Sequence, residues 1–278
     1  MVRGGNYPRF MRSLNAVQFD PQSTRDTVTE PFRRIPGLSL VVPCFNEIEG
    51  LEALRTQLEE LRSGCSGQLE LEVILVDDGS DDGTRDGLAR VFDPLPWVKV
   101  VLHESNCGVA AAILTGIKAS RQEYVASMDA DCTYAPIQLL QLWKCMDSET
   151  SMVTASPYHP NGRVEGVPTW RLALSKSASR VYQTVTGSSI HTFTSCFRIY
   201  RRRDFDGMQL KNQGFVGIAE MFWWIQKHGG AIREAPATLT TRKTGFSKMR
   251  TVPVIWAHLI LIQRIAWERL YGEKKKCD

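Results

Sequence analysis

Two rhythms of apolar residues alternate along the first half of the chain. Residues 38–42 form a short, largely apolar run rich in β-branched residues and closed by Pro43, as expected of a buried parallel strand. Asn46 then stands where a helix cap would, with Glu49 three residues on, and Leu51, Leu54, Leu58 and Leu61 recur at helical spacing. The pair of motifs repeats. A second buried strand, 71–76, precedes a helix reaching about residue 92, and a third strand, 98–102, precedes a small-residue helix over 109–119 opened by Asn106 and Gly108. A fourth strand, 124–128, runs into Asp129-Ala130-Asp131. Strands alternating with helices predict an α/β fold: a mostly parallel central sheet flanked by helices, with right-handed crossovers bringing the C-terminal strand ends to one edge. Ligands of such sheets bind outside that edge.

After Pro136 the rhythm is less regular. It predicts a helix to about residue 146, a strand over 152–156, a polar turn over 159–162, a helix over 170–186, a strand over 197–201 and a helix over 214–228. Residues 1–36 lack apolar periodicity and end with Pro31 and Pro36, which suits an extension laid over the surface or left mobile. Towards the other end Ile255, Trp256, Leu259, Ile260, Ile262, Ile265 and Trp267 make a wide apolar face. It is interrupted by His258, Gln263, Arg264, Glu268 and Arg269, too often for the roughly 20 apolar residues of a membrane span. The face suits either a helix lying in a membrane interface or a plain core helix.

Charge and cysteine content narrow the partners. The net charge of +4, from 34 basic and 30 acidic side chains, is too slight for a nucleic-acid footprint, so no nucleic acid is expected. Basic residues nevertheless gather in the second half, at Arg198, Arg201 to Arg203, Arg242, Lys243, Lys248 and Arg250, where they can receive an anion or simply face solvent. Seven cysteines, at spacings unlike a zinc ribbon, a redox pair or a haem site, read as reduced thiols in the cytoplasm, and residues 1–20 hold no signal-peptide core.

The chemistry centres on Asp129 and Asp131. Two carboxylates one residue apart at a strand end offer hard oxygen donors to Mg²⁺ or Mn²⁺ while leaving room for phosphate oxygens. Asp77 and Asp78 close a neighbouring strand, and four carboxylates on one edge repel unless a cation or hydrogen-bond donors answer them. Asp77 suits a turn satisfied by local amides, whereas Asp78 suits a contact to the base or ribose of a nucleotide, since a carboxylate accepts from ring N–H and hydroxyl groups. A dinucleotide-dependent oxidoreductase needs a glycine-rich turn after the first strand. Pro43-Cys44-Phe45-Asn46-Glu47 has none.

The blocks Val41-Val42-Pro43-Cys44-Phe45-Asn46-Glu47, Val76-Asp77-Asp78-Gly79-Ser80 and Met128-Asp129-Ala130-Asp131 together resemble family 2 glycosyltransferases, especially the dolichyl-phosphate mannose synthase group. The resemblance continues through Phe197-Arg198-Ile199-Tyr200-Arg201, Gly214-Phe215 with Glu220, and Arg242 with Gly245-Phe246-Ser247-Lys248. It implies a GT-A fold over residues 37–250, with a nucleotide-binding half at 37–131 and an acceptor half at 132–250, followed by an amphipathic helix and basic tail at 251–278. It implies that Pro43, Phe45, Glu47, Val76 and Asp78 hold the nucleoside of a nucleotide-sugar donor, and that Asp129 and Asp131 hold the metal with Ala130 lining the donor site. Arg242 and Lys248 would clamp the diphosphate, and Arg171 would meet an acceptor phosphate. The chain departs from the group at Thr133, Pro157, Thr192 and Cys196, where the group tends to carry Gln or Ser, Arg, Asp and Gly.

Inversion at the anomeric carbon by direct displacement follows from the same resemblance. A lipid-phosphate acceptor at the cytoplasmic face of a membrane would attack unaided, being largely ionised with a second pKa of about 6. A sugar hydroxyl would need a base, for which Glu220 is the candidate. The alternatives are therefore a hydroxyl acceptor, or a scaffold that binds a nucleotide sugar without transfer. The sequence leaves the oligomeric state open.

Overall fold

The computed structural model describes residues 35–241 and 251–272. In chain order the elements are β1 (Gly37–Cys44), α1 (Leu51–Cys65), β2 (Glu70–Asp77), α2 (Thr84–Phe92), β3 (Val98–Leu102), α3 (Val109–Ala119), β4 (Tyr124–Ser127) and α4 (Leu139–Trp143). Then follow β5 (Thr150–Ser156), β6 (Arg163–Val164), α5 (Thr169–Thr186), β7 (Arg198–Arg201), α6 (Phe215–Lys227), β8 (Ala231–Pro236), β9 (Thr238–Leu239) and α7 (Thr251–Gly272). Seven strands form one sheet in the order β3-β2-β1-β4-β7-β5-β8, and β6 pairs with β9 apart from it. Only β7 runs antiparallel to its neighbours β4 and β5.

Period-two alternation sorts the strand residues between two apolar layers. Leu38, Leu40 and Val42 of β1 face α1, α2 and α4, where Leu54, Leu58, Phe92 and Leu142 are buried. Val41 of β1 with Ile74 and Val76 of β2 faces the other layer, built by α3, α5, α6 and α7. The sequence places Val76 against the nucleoside; here its side chain is fully buried in that second layer and does not line the cleft described below. Its position in β2 turns it towards α3, away from the strand tips.

Gly116 lets α3 lie against β1, since a Cβ there would stand 2.2 Å from Val41 Cγ1. Register levels the strand tips, with Cys44 beside Asp77 and Asp77 beside Leu102. Pro43, expected to end the first strand, lies inside β1. The β1–β4 ladder stops at Val41 and Ser127, so the N–H that Pro43 lacks is not required by β4.

Asn46 is not a helix cap. It adopts φ +56°, and its side chain exchanges hydrogen bonds with Asp81, donating from Nδ2 and accepting the Asp81 amide at Oδ1. A short 3₁₀ turn, Ile48–Gly50, leads into α1 instead. The helix expected to reach residue 146 ends at Trp143. Strands β6, β8 and β9 were not expected: two are of two residues, and β8 is an edge strand carrying Arg233 and Glu234.

Candidate active site

At the C-terminal edge of the sheet lies a cleft of about 600 Å³. The loop after β1 contributes Pro43, Phe45 and Glu47, the tip of β2 contributes Asp78, and the start of α3 contributes Asn106, Gly108 and Val109. The loop after β4 supplies Asp129, Ala130, Asp131 and Thr133. The far wall is Val167 and Pro168 before α5, Gly214 and Phe215 at the start of α6, and Leu239, Thr240 and Thr241. A larger cavity, about 730 Å³, opens at the opposite end of the strands around Trp97 and Arg121. It lies away from the edge where sheets of this kind bind ligands.

Asp129 and Asp131 thus line one cleft with Asp78 and Glu47. Cys132 follows at φ +52°, turning the chain back, and the amide of Thr133 donates to Asp131 Oδ1 at 3.1 Å. The thiol of Cys196 is hydrogen-bonded to Asp129; burial, with that carboxylate beside it, keeps the thiol protonated far above its usual range. A side chain therefore reaches Asp129 from a position where the related group tends to have Gly. Two oxygen-bearing side chains on a cleft wall fit a hard divalent cation, which prefers carboxylate, carbonyl and water ligands. Thr133, another departure, is tied to the far wall: its carbonyl accepts from the amide and the hydroxyl of Thr240 at 2.9 and 3.0 Å. Thr192 pairs with Ser156, Oγ1 to Oγ at 2.8 Å.

The second acidic pair divides into two roles. Asp77 is fully buried, accepting the Ser80 amide and Arg85 Nε, each at 3.3 Å, so it holds its own turn. Asp78 is 2% exposed yet lines the cleft. Its Oδ1 meets His103 Nδ1 at 2.7 Å and accepts the Cys107 amide at 2.9 Å, while Oδ2 accepts the Gly108 amide at 2.8 Å. Hydrogen-bond donors answer this carboxylate. Gly108 makes the approach possible: its φ is +97°, and a Cβ there would meet Gln213 O at 2.6 Å. His103 escaped the sequence reading, although a polar residue directly after the apolar β3 is a strand-tip position on the ligand edge.

Glu220 is not brought to this site. It does not line the cleft, is 6% exposed, and accepts from the amides of Lys211 and Asn212 at 3.1 and 2.9 Å and from Asn212 Nδ2 at 2.7 Å. Arg264 of α7 completes the set, Nη2 to Oε1 at 2.8 Å. With both oxygens taken, the carboxylate ties α6 to α7 and to the loop before Gly214 rather than facing the cleft, where the expectation of a general base would have it. Arg171 lies in the first turn of α5, directly after the cleft residues Val167 and Pro168. Arg242 and Lys248 lie outside the described residues, in the interval between the cleft residue Thr241 and α7.

An acidic pair at the strand tips of a mostly parallel sheet, lining a cleft of about 600 Å³, fits the sugar transferases that the sequence blocks resemble, and comparison with known proteins agrees. Residues 39–208 match the model of glycosyl transferase family 2, and the chain belongs to that family. It is similar to the polyprenol monophosphomannose synthase of Mycolicibacterium smegmatis, 32% identical over 219 residues that span 76% of this chain and 80% of the relative. It is also similar to a dolichol-phosphate mannosyltransferase of Pyrococcus furiosus, 28% identical over 83% of this chain and 64% of that protein. Among solved structures, glucosyl-3-phosphoglycerate synthase from Mycobacterium tuberculosis, in complex with Mn²⁺, UDP and glucosyl-3-phosphoglycerate, superposes with a TM-score of 0.61. At 16% identity over 84% of this chain and 80% of that one, this establishes the GT-A fold. The chain is a family 2 glycosyltransferase.

Proposed function

We propose that this glycosyltransferase moves a sugar from a nucleoside diphosphate donor in the cleft to a polyprenyl phosphate held at a membrane surface, with inversion. The observation that carries the acceptor is an apolar surface beginning at the cleft rim. Pro168 lines the cleft, and Trp170 and Leu174 follow on the exposed side of α5. On α7, which packs on α5 and α6 through Leu261 and Ile265, the opposite face exposes Trp256, Ile260, Trp267 and Leu270 at helical spacing. Such a stripe suits the headgroup and acyl boundary. No helix among the described residues is long and apolar enough to cross a membrane. The names of the two curated relatives point to the same acceptor class.

In this reading residues 37–131 hold the donor and 132–250 the acceptor, with the helix and tail of 251–278 at the lipid surface and residues 1–36 as a separate extension. Pro43, Phe45, Glu47 and Asp78 flank the nucleoside, and Ala130 lies beside the donor sugar. Asp129 and Asp131 hold Mg²⁺ or Mn²⁺, and when bound the cation supplies charge neutralisation for the departing diphosphate. Arg242 and Lys248 add cationic contacts to that diphosphate, an arginine fork and a lysine point charge both suiting phosphate oxygens. Arg171 orients the acceptor phosphate. An acceptor oxygen bonds to the anomeric carbon as its bond to the β-phosphate oxygen breaks, and the nucleoside diphosphate leaves with that electron pair. No base is needed, because the acceptor is already ionised; the full occupancy of Glu220 by other donors is consistent with that. The test is transfer of radiolabelled sugar from a panel of nucleotide sugars, with and without polyprenyl phosphate. Product formed only on soluble hydroxyl acceptors would defeat the assignment.

A further inference from the structure

Resting on the reading of Asp78 as a nucleoside contact, we infer that the His103–Asp78 pair makes the donor site select a base with one imide N–H, uracil or thymine, over guanine. An ionised carboxylate offers about four acceptor positions, two on each oxygen. Among the described residues three are used in Asp78: His103 Nδ1 and the Cys107 amide occupy Oδ1, and the Gly108 amide occupies one position of Oδ2. One position on Oδ2 is left for a ligand in the cleft that Asp78 lines.

The bases differ in what they ask of that position. The edge of guanine presents two adjacent donors, N1–H and an N2–H, which a carboxylate satisfies with one oxygen each. Here Oδ1 is already full, so the second donor of guanine would be buried without a partner. A buried donor left unpaired costs about 1–3 kcal/mol. Uracil and thymine present a single N3–H and match the single vacancy. Adenine and cytosine turn a ring-nitrogen lone pair towards the carboxylate beside their amino group, which repels it.

His103 is a positioning residue in this scheme. Its other nitrogen, Nε2, lies 3.0 Å from Thr115 Oγ1, so the ring is held from both sides and Nδ1 is kept on Asp78. Thr115 lies within α3, and His103, directly after β3, is tied to β2 by its amide, which donates to Asp77 O at 2.8 Å. The backbone amides that fill the other positions belong to Cys107 and Gly108, just before that helix, and persist when the ring is replaced.

Calorimetric titration of the full chain with UDP, dTDP, GDP, ADP and CDP in the presence of Mn²⁺ tests the inference without any acceptor, and so separately from the polyprenyl-phosphate assignment. UDP and dTDP should bind at least about fivefold more tightly than GDP, the low end of the cost of one orphaned donor. His103→Phe, which keeps a ring but removes the nitrogen from Oδ1, should narrow the UDP to GDP ratio at least about fivefold by improving GDP binding. Thr115→Val, a milder change, should narrow it in the same direction. GDP binding as tightly as UDP in the unaltered chain overturns the inference whatever the variants do. A ratio unchanged in both variants overturns the role given to His103, since a merely structural residue would weaken all nucleotides alike.

Discussion

Replacing Glu220 by Gln separates a structural carboxylate from a catalytic one. The change keeps the shape of the side chain but removes the charge that faces Arg264 at 2.8 Å. It also turns one acceptor into a donor, amid the Lys211 and Asn212 amides and Asn212 Nδ2. At least one of those N–H groups then loses its partner, at about 1–3 kcal/mol. Breaking a buried ion pair from one side costs about 3–5 kcal/mol. The Arg264 side chain is 22% exposed against 8% for Glu220, so water relieves part of that cost and the lower end, about 3 kcal/mol, applies. At roughly 2–4 °C per kcal/mol for a domain of this size, the melting temperature should fall by about 6–12 °C. Thermal melts followed by circular dichroism measure the fall, and transfer assays well below the transition measure kcat, which should stay within about tenfold of the unaltered enzyme. Unchanged melting together with a loss of kcat of about a thousandfold or more would refute the argument and restore Glu220 as a base.

Other outcomes follow from the same coordinates. Gly116→Ala should destabilise by about 1–3 kcal/mol despite alanine's better helix propensity, because the new methyl meets Val41; adding Val41→Ala should recover part of the loss in a denaturant series. Burial holds the imidazole of His258 below its ordinary value of 6.5. The folded chain then resists a proton that the unfolded chain accepts, so stability is whole above about pH 6.5 and declines as the pH falls below it. His258→Gln should flatten that part of the decline in melts between about pH 7 and about pH 5. Trp256→Ser with Trp267→Ser should lower sedimentation with anionic vesicles at least about tenfold while leaving the fold intact, each buried aromatic being worth about 1.5–3 kcal/mol; unchanged sedimentation would remove α7 from the interface.

Much of this was legible from residue order, and the reasons are specific. The helix from Val109 to Ala119 and the strand from Val98 to Leu102 are where the pattern places them, because short valine-rich runs and small-residue helices admit few alternatives. Asp78, Asp129 and Asp131 share a cleft because parallel strands level their tips. What escaped depends on contacts between residues far apart in the chain. Asn46 has the residue type of a cap, yet Asp81, brought alongside by the β1–β2 register, captures its amide. Glu220 has the residue type of a base, yet Arg264, 44 positions later, claims it. Val76 carries a motif position but faces the core, since alternation in β2 is fixed by the sheet. His103 gains its meaning only when β3 lies beside β2.

The account stands most directly on the acidic tips. Transfer of labelled sugar to polyprenyl phosphate should be measured for the unaltered enzyme and for Asp131→Ala across a titration of Mn²⁺ and of Mg²⁺, with circular dichroism to verify the fold. Turnover should rise with cation in the first and stay at background in the second at every concentration; near-normal turnover in Asp131→Ala, or turnover indifferent to chelation in the unaltered enzyme, would contradict it.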